Sequence, residues 1–145
     1  MVTVTQAQAS RSASVLVLGT LASGAYKASS PIDLGAAVPL DVTLEVECVP
    51  GAATSGNKQL VLFAKLSLDN SNFGSGPENL TATTNEADLH YIGALSCNDN
   101  STHRKFFSLQ SLPVTRYLKL VVKNDMGVSI AFGNIYTAAI TGVSA

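Results

Sequence analysis

The sequence predicts an all-β fold, an antiparallel β-sandwich of jelly-roll type, and three observations point to it. Apolar and polar residues alternate along several short stretches, the period of a half-buried strand. Nowhere do apolar residues recur at helical spacing over the length of a helix. Gly, Pro, Asn and Asp clusters separate the stretches at intervals too short for crossover helices. A closed barrel would share this strand pattern, and the sandwich is preferred because it is the commoner arrangement. The 145 residues fit one domain, divided here into an N-terminal arm over 1–13 and a single sandwich domain over 14–145.

The arm is mostly Thr, Gln, Ser and Ala, with no aliphatic pattern beyond Val2 and Val4, so it should be loose unless a neighbour orders it. The first domain strand is expected at Val15–Leu18, a short apolar run closed by Gly19 and suited to burial on both faces. From Ala22 to Pro39 the density of Gly, Ala, Ser and Pro predicts loop. The clearest strand follows at Leu40–Val49, where Val42, Leu44, Val46 and Cys48 should face the core and Thr43, Glu45 and Glu47 the water. Pro50-Gly51 ends it. A second alternating strand over Leu60–Leu68 then suggests a long hairpin with the first. The run Asp69-Asn70-Ser71-Asn72 predicts a turn, because Asp and Asn side chains bond their own backbone, and a loop continues to about Asp88. Further strands are expected at Leu89–Leu95, Lys105–Leu109 and Arg116–Lys123, with a turn at Asn124–Gly127. A last pair, Val128–Phe132 and Ile135–Val143, would close through a tight turn at Gly133-Asn134.

Charge excludes several partners. Charged residues make up 13% of the chain, about half the usual share, and 9 basic against 10 acidic residues leave a net charge of −1. The basic residues are scattered, so neither nucleic acid nor a membrane surface is an expected partner. Polarity comes instead from 16 Ser and 12 Thr. A nearly neutral surface offers little repulsion between copies and suits life in an assembly. The N-terminus lacks the pattern of a secretory signal, and no apolar run approaches the roughly 18 residues of a spanning helix. Cys48 and Cys97 are accordingly expected as free, buried thiols.

Reactive chemistry finds little support. His90 and His103 have no ligand partners at metal spacing, and the turn at Asp69 has Ser71 and Phe73 where a calcium loop wants oxygen-rich side chains. No elbow motif exposes any of the serines as a nucleophile. Glu45 and Glu47 share a strand face and could mimic a glycosidase pair, but a water-facing carboxyl lacks the apolar setting that makes an acid. Catalytic, cofactor and metal sites are therefore expected to be absent, with no small-molecule substrate. Asn79-Leu80-Thr81 and Asn100-Ser101-Thr102 match the glycosylation pattern but carry no weight without secretion. Tyr117, Phe106 and Phe107 lie in strands and should join the core, whereas Tyr26 and Tyr136 are the aromatics expected at the surface. Together with Val2, Val4, Gln6, Gln8 and Arg11 of the arm they form the expected interface.

Several phrases resemble those of a known group. They are Gly19-Thr20-Leu21, Ile32-Asp33-Leu34-Gly35, Ser67-Leu68-Asp69 with Asn72-Phe73, Ile92-Gly93, Arg116-Tyr117-Leu118-Lys119 and Lys123-Asn124. In these and in its layout the chain resembles small virion structural proteins of tailed bacteriophages, of the capsid decoration or cement type. The resemblance implies a β-sandwich assembled in many copies. Its implied partners are the major capsid protein and copies of itself, as trimer or dimer. The implied place is the outer surface of the phage head, after synthesis in the host bacterial cytoplasm. It transfers no site residues. The alternative it leaves open is a collar, tail or fibre module that binds a host-surface glycan or acts as an adaptor.

Overall fold

A computed structural model of the chain describes residues 3–79 and 84–144. Its strands are β1 (Val4–Gln8), β2 (Leu16–Val17), β3 (Tyr26–Ala28), β4 (Ile32–Asp33), β5 (Asp41–Pro50), β6 (Gln59–Ser67), β7 (His90–Ser96), β8 (His103–Ser108), β9 (Tyr117–Asp125) and β10 (Ile130–Ser144). The helical content among the described residues is one 3-10 turn at Glu86–Asp88.

Two antiparallel sheets pack face to face. One runs β1–β10–β5–β8, with β2 also on β10; the other runs β3–β9–β6–β7, with β4 also on β9. β1 and β2 are successive parts of one edge position, since Ala9, Ser12 and Val15 between and beside them also donate to Ala139, Thr137 and Ile135 of β10. β3 and β4 likewise share one edge of β9, bridged by the Ser29 amide on Leu120. Four strand positions per sheet result, and the chain passes back and forth between the facing sheets in the jelly-roll manner.

The core lies between the sheets. Val42, Leu44, Val46 and Cys48 of β5 meet Leu60 and Leu62 of β6 and Leu118, Leu120 and Val122 of β9. Both thiols are free and buried in this cluster. A second cluster covers the outer face of the β9–β6 sheet, where Tyr26, Val61, Phe63, Leu89 and Val121 pack beneath the chain that leads from β6 to β7. That covering explains why β6 is buried on both faces from Leu60 to Lys65. Two carboxylates fasten the connection: Glu78 accepts from Lys65 at 3.0 Å and Lys119 at 3.1 Å, and Glu86 from Lys123 at 3.1 Å and from the Tyr26 hydroxyl.

Several expectations need correction. The arm is not loose within the described residues: β1 lies on β10 in continuous register from Val4 opposite Ser144 to Gln8 opposite Ile140. It covers no core, so no apolar period marks it; backbone bonds hold it instead. β2 is not buried on both faces, because Leu16 and Leu18 point inward while Val17 is exposed. The stretch 22–39 contains β3 and β4, whose short pairings lack a periodic pattern. β5 and β6 are not a hairpin; they lie in opposite sheets, β5 between β10 and β8, and residues 51–58 cross the sandwich. Gly133-Asn134 is no turn, since β10 runs straight through it. Gly133 is there because a Cβ would lie 2.9 Å from the Glu47 carbonyl oxygen and 3.0 Å from Leu18 Cβ.

Candidate interaction face

The outer face of the β10–β5–β8 layer is built in rows across three strands. Pairing sets Asn134, Glu47 and Arg104 in one row, and Tyr136, Glu45 and Phe106 in the next. Side chains at these positions leave the same side of the pleat because they are two residues apart on each strand. Arg104 reaches Glu45 at 3.0 Å and Glu47 at 2.7 Å, bridging the rows. Glu47 also accepts from the Tyr136 hydroxyl at 2.8 Å and from Asn134 Nδ2 at 3.2 Å. Arg11, carried in by the segment after β1, pairs with Glu45 at 2.9 Å and sets its guanidinium over the Tyr136 ring, 4.0 Å from its centre. The two arginines and two glutamates balance, so the face is polar without net charge.

Glu47 is buried here, contrary to a water-facing position. Burial pushes its carboxyl up, but the hydrogen bonds from Tyr136 and Asn134 and the charge of Arg104 outweigh it and leave the group below its ordinary value. A general acid requires the opposite direction. The Tyr136 hydroxyl is correspondingly raised by its bond to Glu47 and by burial. Beside this lattice, Gln8, Arg11, Thr43, Glu45, Phe106 and Tyr136 line a shallow depression of about 210 Å³.

Of the residues expected at an interface, Gln8, Arg11 and Tyr136 therefore converge. Val4 and Gln6 lie farther along the exposed β1 edge, with Val4 67% exposed. Val2 and the Leu80-Thr81 part of one glycosylation motif lie outside the described residues. Tyr26 is a correction: it is buried in the second cluster, its hydroxyl on Glu86, because β3 turns the ring under the long connection. Phe106 is the reverse case, 60% exposed although it lies in a strand, since it falls on the outer pleat. Glu45, Glu47, Arg104 and Asn134 were not expected at the face. Their strand spacing was visible, but which strands adjoin was not.

Elsewhere, an apolar pocket of about 130 Å³ opens at one end of the sandwich between Val38, Leu40, Leu66, Leu109, Leu112 and Val114. Its Asp41 carboxylate is occupied by the Ser108 hydroxyl and the Val42 and Leu109 amides. The Asp69 carboxylate accepts from the Asn72 and Ser71 amides, as the turn reading requires, and these bonds hold it below the usual range. Among the described residues no group of three or more His, Cys, Asp or Glu could hold a metal ion. No family model matches the chain, and no curated protein matches it either.

Proposed function

We propose that this chain is a bacteriophage virion structural protein, a capsid decoration (cement) protein that binds the major capsid protein and stabilises the head. The observation that carries the proposal is the N-terminal segment, which lies along the outside of the sandwich with every residue of β1 exposed and uncharged. Such a strip offers length and backbone groups rather than a cleft, and stable contacts between shell proteins come from area, commonly about 1,200–2,000 Å² in total. Repetition over a capsid lets modest contacts add by multivalency. Low charge favours the same use, because burying neutral surface costs less desolvation than burying ions. The resemblance in phrases adds to this physical support.

Removing residues 1–9 tests it. The cut spares Arg11 and its pair with Glu45, so the domain should remain folded while occupancy on purified capsids falls at least tenfold. Unchanged occupancy would refute the role of the segment.

One feature favours a second role, a tail, collar or fibre module that binds a host-surface glycan. The exposed Phe106 ring beside Gln8, Arg11 and Glu45 combines an apolar plate with planar hydrogen-bonding groups, a combination suited to a sugar ring. A glycan array should then give signals that Phe106→Ala abolishes. A blank array would remove this role.

A further inference from the structure

Natural sheets protect their edges with charge, proline, bulges or a covering element, since an open edge is a template for another strand. Three of the four edges here follow that rule. β8 carries Arg104 and Lys105; the β3–β4 edge carries Lys27, Pro31 and Asp33. β7 has a register shift against β6, and Lys105 Nζ donates to its Ala94 carbonyl. β1 has none of these: residues 3–10 contain neither charge nor proline, and its pairing with β10 shows no shift.

The ladder tells which groups of β1 are free to pair. Ala9 donates to Ala139 in the register that continues β1, so the amides of Ala7 and Thr5 also face β10. Those of Val4, Gln6 and Gln8 point away from the sheet. β5 ends its pairing at Asp41 opposite Ile140, and Leu40 donates to the Ile140 carbonyl. Past that point Val4–Ala7 and residues 141–144 continue as a two-stranded ribbon, with no third strand among the described residues. A two-stranded ribbon on its own is marginal in water, and three or more strands are needed for independent stability.

We propose that two copies of this chain join β1 to β1, antiparallel about a twofold axis centred on Gln6. Gln6 then faces Gln6 of the second copy, and Val4 faces its Gln8, each pair forming two backbone bonds. The two ribbons become one four-stranded sheet continuous with both sandwiches. The absence of charge is what permits it, since in a twofold pairing residues at the axis meet their own kind, and like charges there would repel. The inference specifies the self-association within the proposed decoration role.

Gln6→Pro is the discriminating variant. It removes an outward amide and leaves the bonds to β10, a position where an edge strand tolerates proline. Sedimentation equilibrium of the full chain should show a dimer whose Kd rises at least tenfold in Gln6→Pro. Gln6→Cys should form an intermolecular disulfide under mild oxidation, an independent readout should the proline variant fail to fold. A full chain that stays monomeric at all concentrations, or a dimer that gives no Gln6→Cys cross-link, would overturn the pairing. Capsid occupancy, measured on the same samples, separates the two proposals. Occupancy by a monomeric protein refutes the pairing alone, whereas a β1-paired dimer that ignores capsids refutes the decoration role alone.

Discussion

Asn124 does the work of three residues. Its amide donates to the Leu21 and Val128 carbonyls at 2.9 and 2.8 Å, and its oxygen accepts from the Met126 amide at 3.0 Å, all within a fully buried side chain. Asn124→Ala would strand the Val128 carbonyl and the Met126 amide, while the Leu21 carbonyl keeps its bond from the Ile130 amide, so a loss of roughly 2–4 kcal/mol is expected in denaturant unfolding. A change under about 0.5 kcal/mol, the range of an ordinary surface substitution, would mean that water replaces those bonds without cost. Acid should act through carboxylates whose folded values are depressed. Asp33 is held at about 2 by its hydrogen bond from Arg116 and by the Gly35 amide, and Glu47 also lies below its ordinary value. A depressed folded value stabilises above the unfolded value near 4 and is lost as pH falls through the folded one. Thermal melts should thus hold level above about pH 5 and fall progressively below pH 4. Asp33→Asn should flatten part of that fall; an unchanged profile would exclude Asp33 from it. The sequence disclosed Asp33 and Asn124 as residues but not these roles, because each depends on a partner far along the chain.

Among the elements, β10 decides the most. It borders β1, β2 and β5, and its passage through Gly133 is made possible by a missing side chain. Gly133→Ala should cost about 1–3 kcal/mol, since the added methyl meets backbone and the Leu18 Cβ rather than a flexible tip. Equal stability would show that the strand can shift outward. The same position explains a misleading signal. Gly-Asn is a hairpin motif when its glycine supplies positive φ, yet Gly133 is not among the glycines with positive φ, and it serves close approach instead. β5 and β9 were legible from alternation, since Val42, Leu44, Val46 and Cys48 and then Leu118, Leu120 and Val122 fall at every second position on the core side. β1, β3 and β4 were not, since they bury little and owe their form to backbone bonds that leave no periodic trace.

At the scale of the whole molecule, two sheets with one shared core and a second cluster beneath a long connection form a jelly roll whose outer surfaces differ in character. The β9–β6 sheet is covered by its own chain. The other carries on its outer face a balanced lattice of Arg11, Glu45, Arg104 and the buried Glu47, bordered by an uncharged edge strand. The neutral overall charge was apparent from composition; the gathering of nearly all nearby charge into self-satisfied pairs needed the strand order. Both features suit contact with protein over a broad area. Electron cryo-microscopy of capsids incubated with this protein would show directly whether it decorates the head. A decoration protein should give density on the outside of the head shell, with the β1 edge at a contact between copies or with the capsid protein. Bare shells, or density confined to the tail tip, would contradict it.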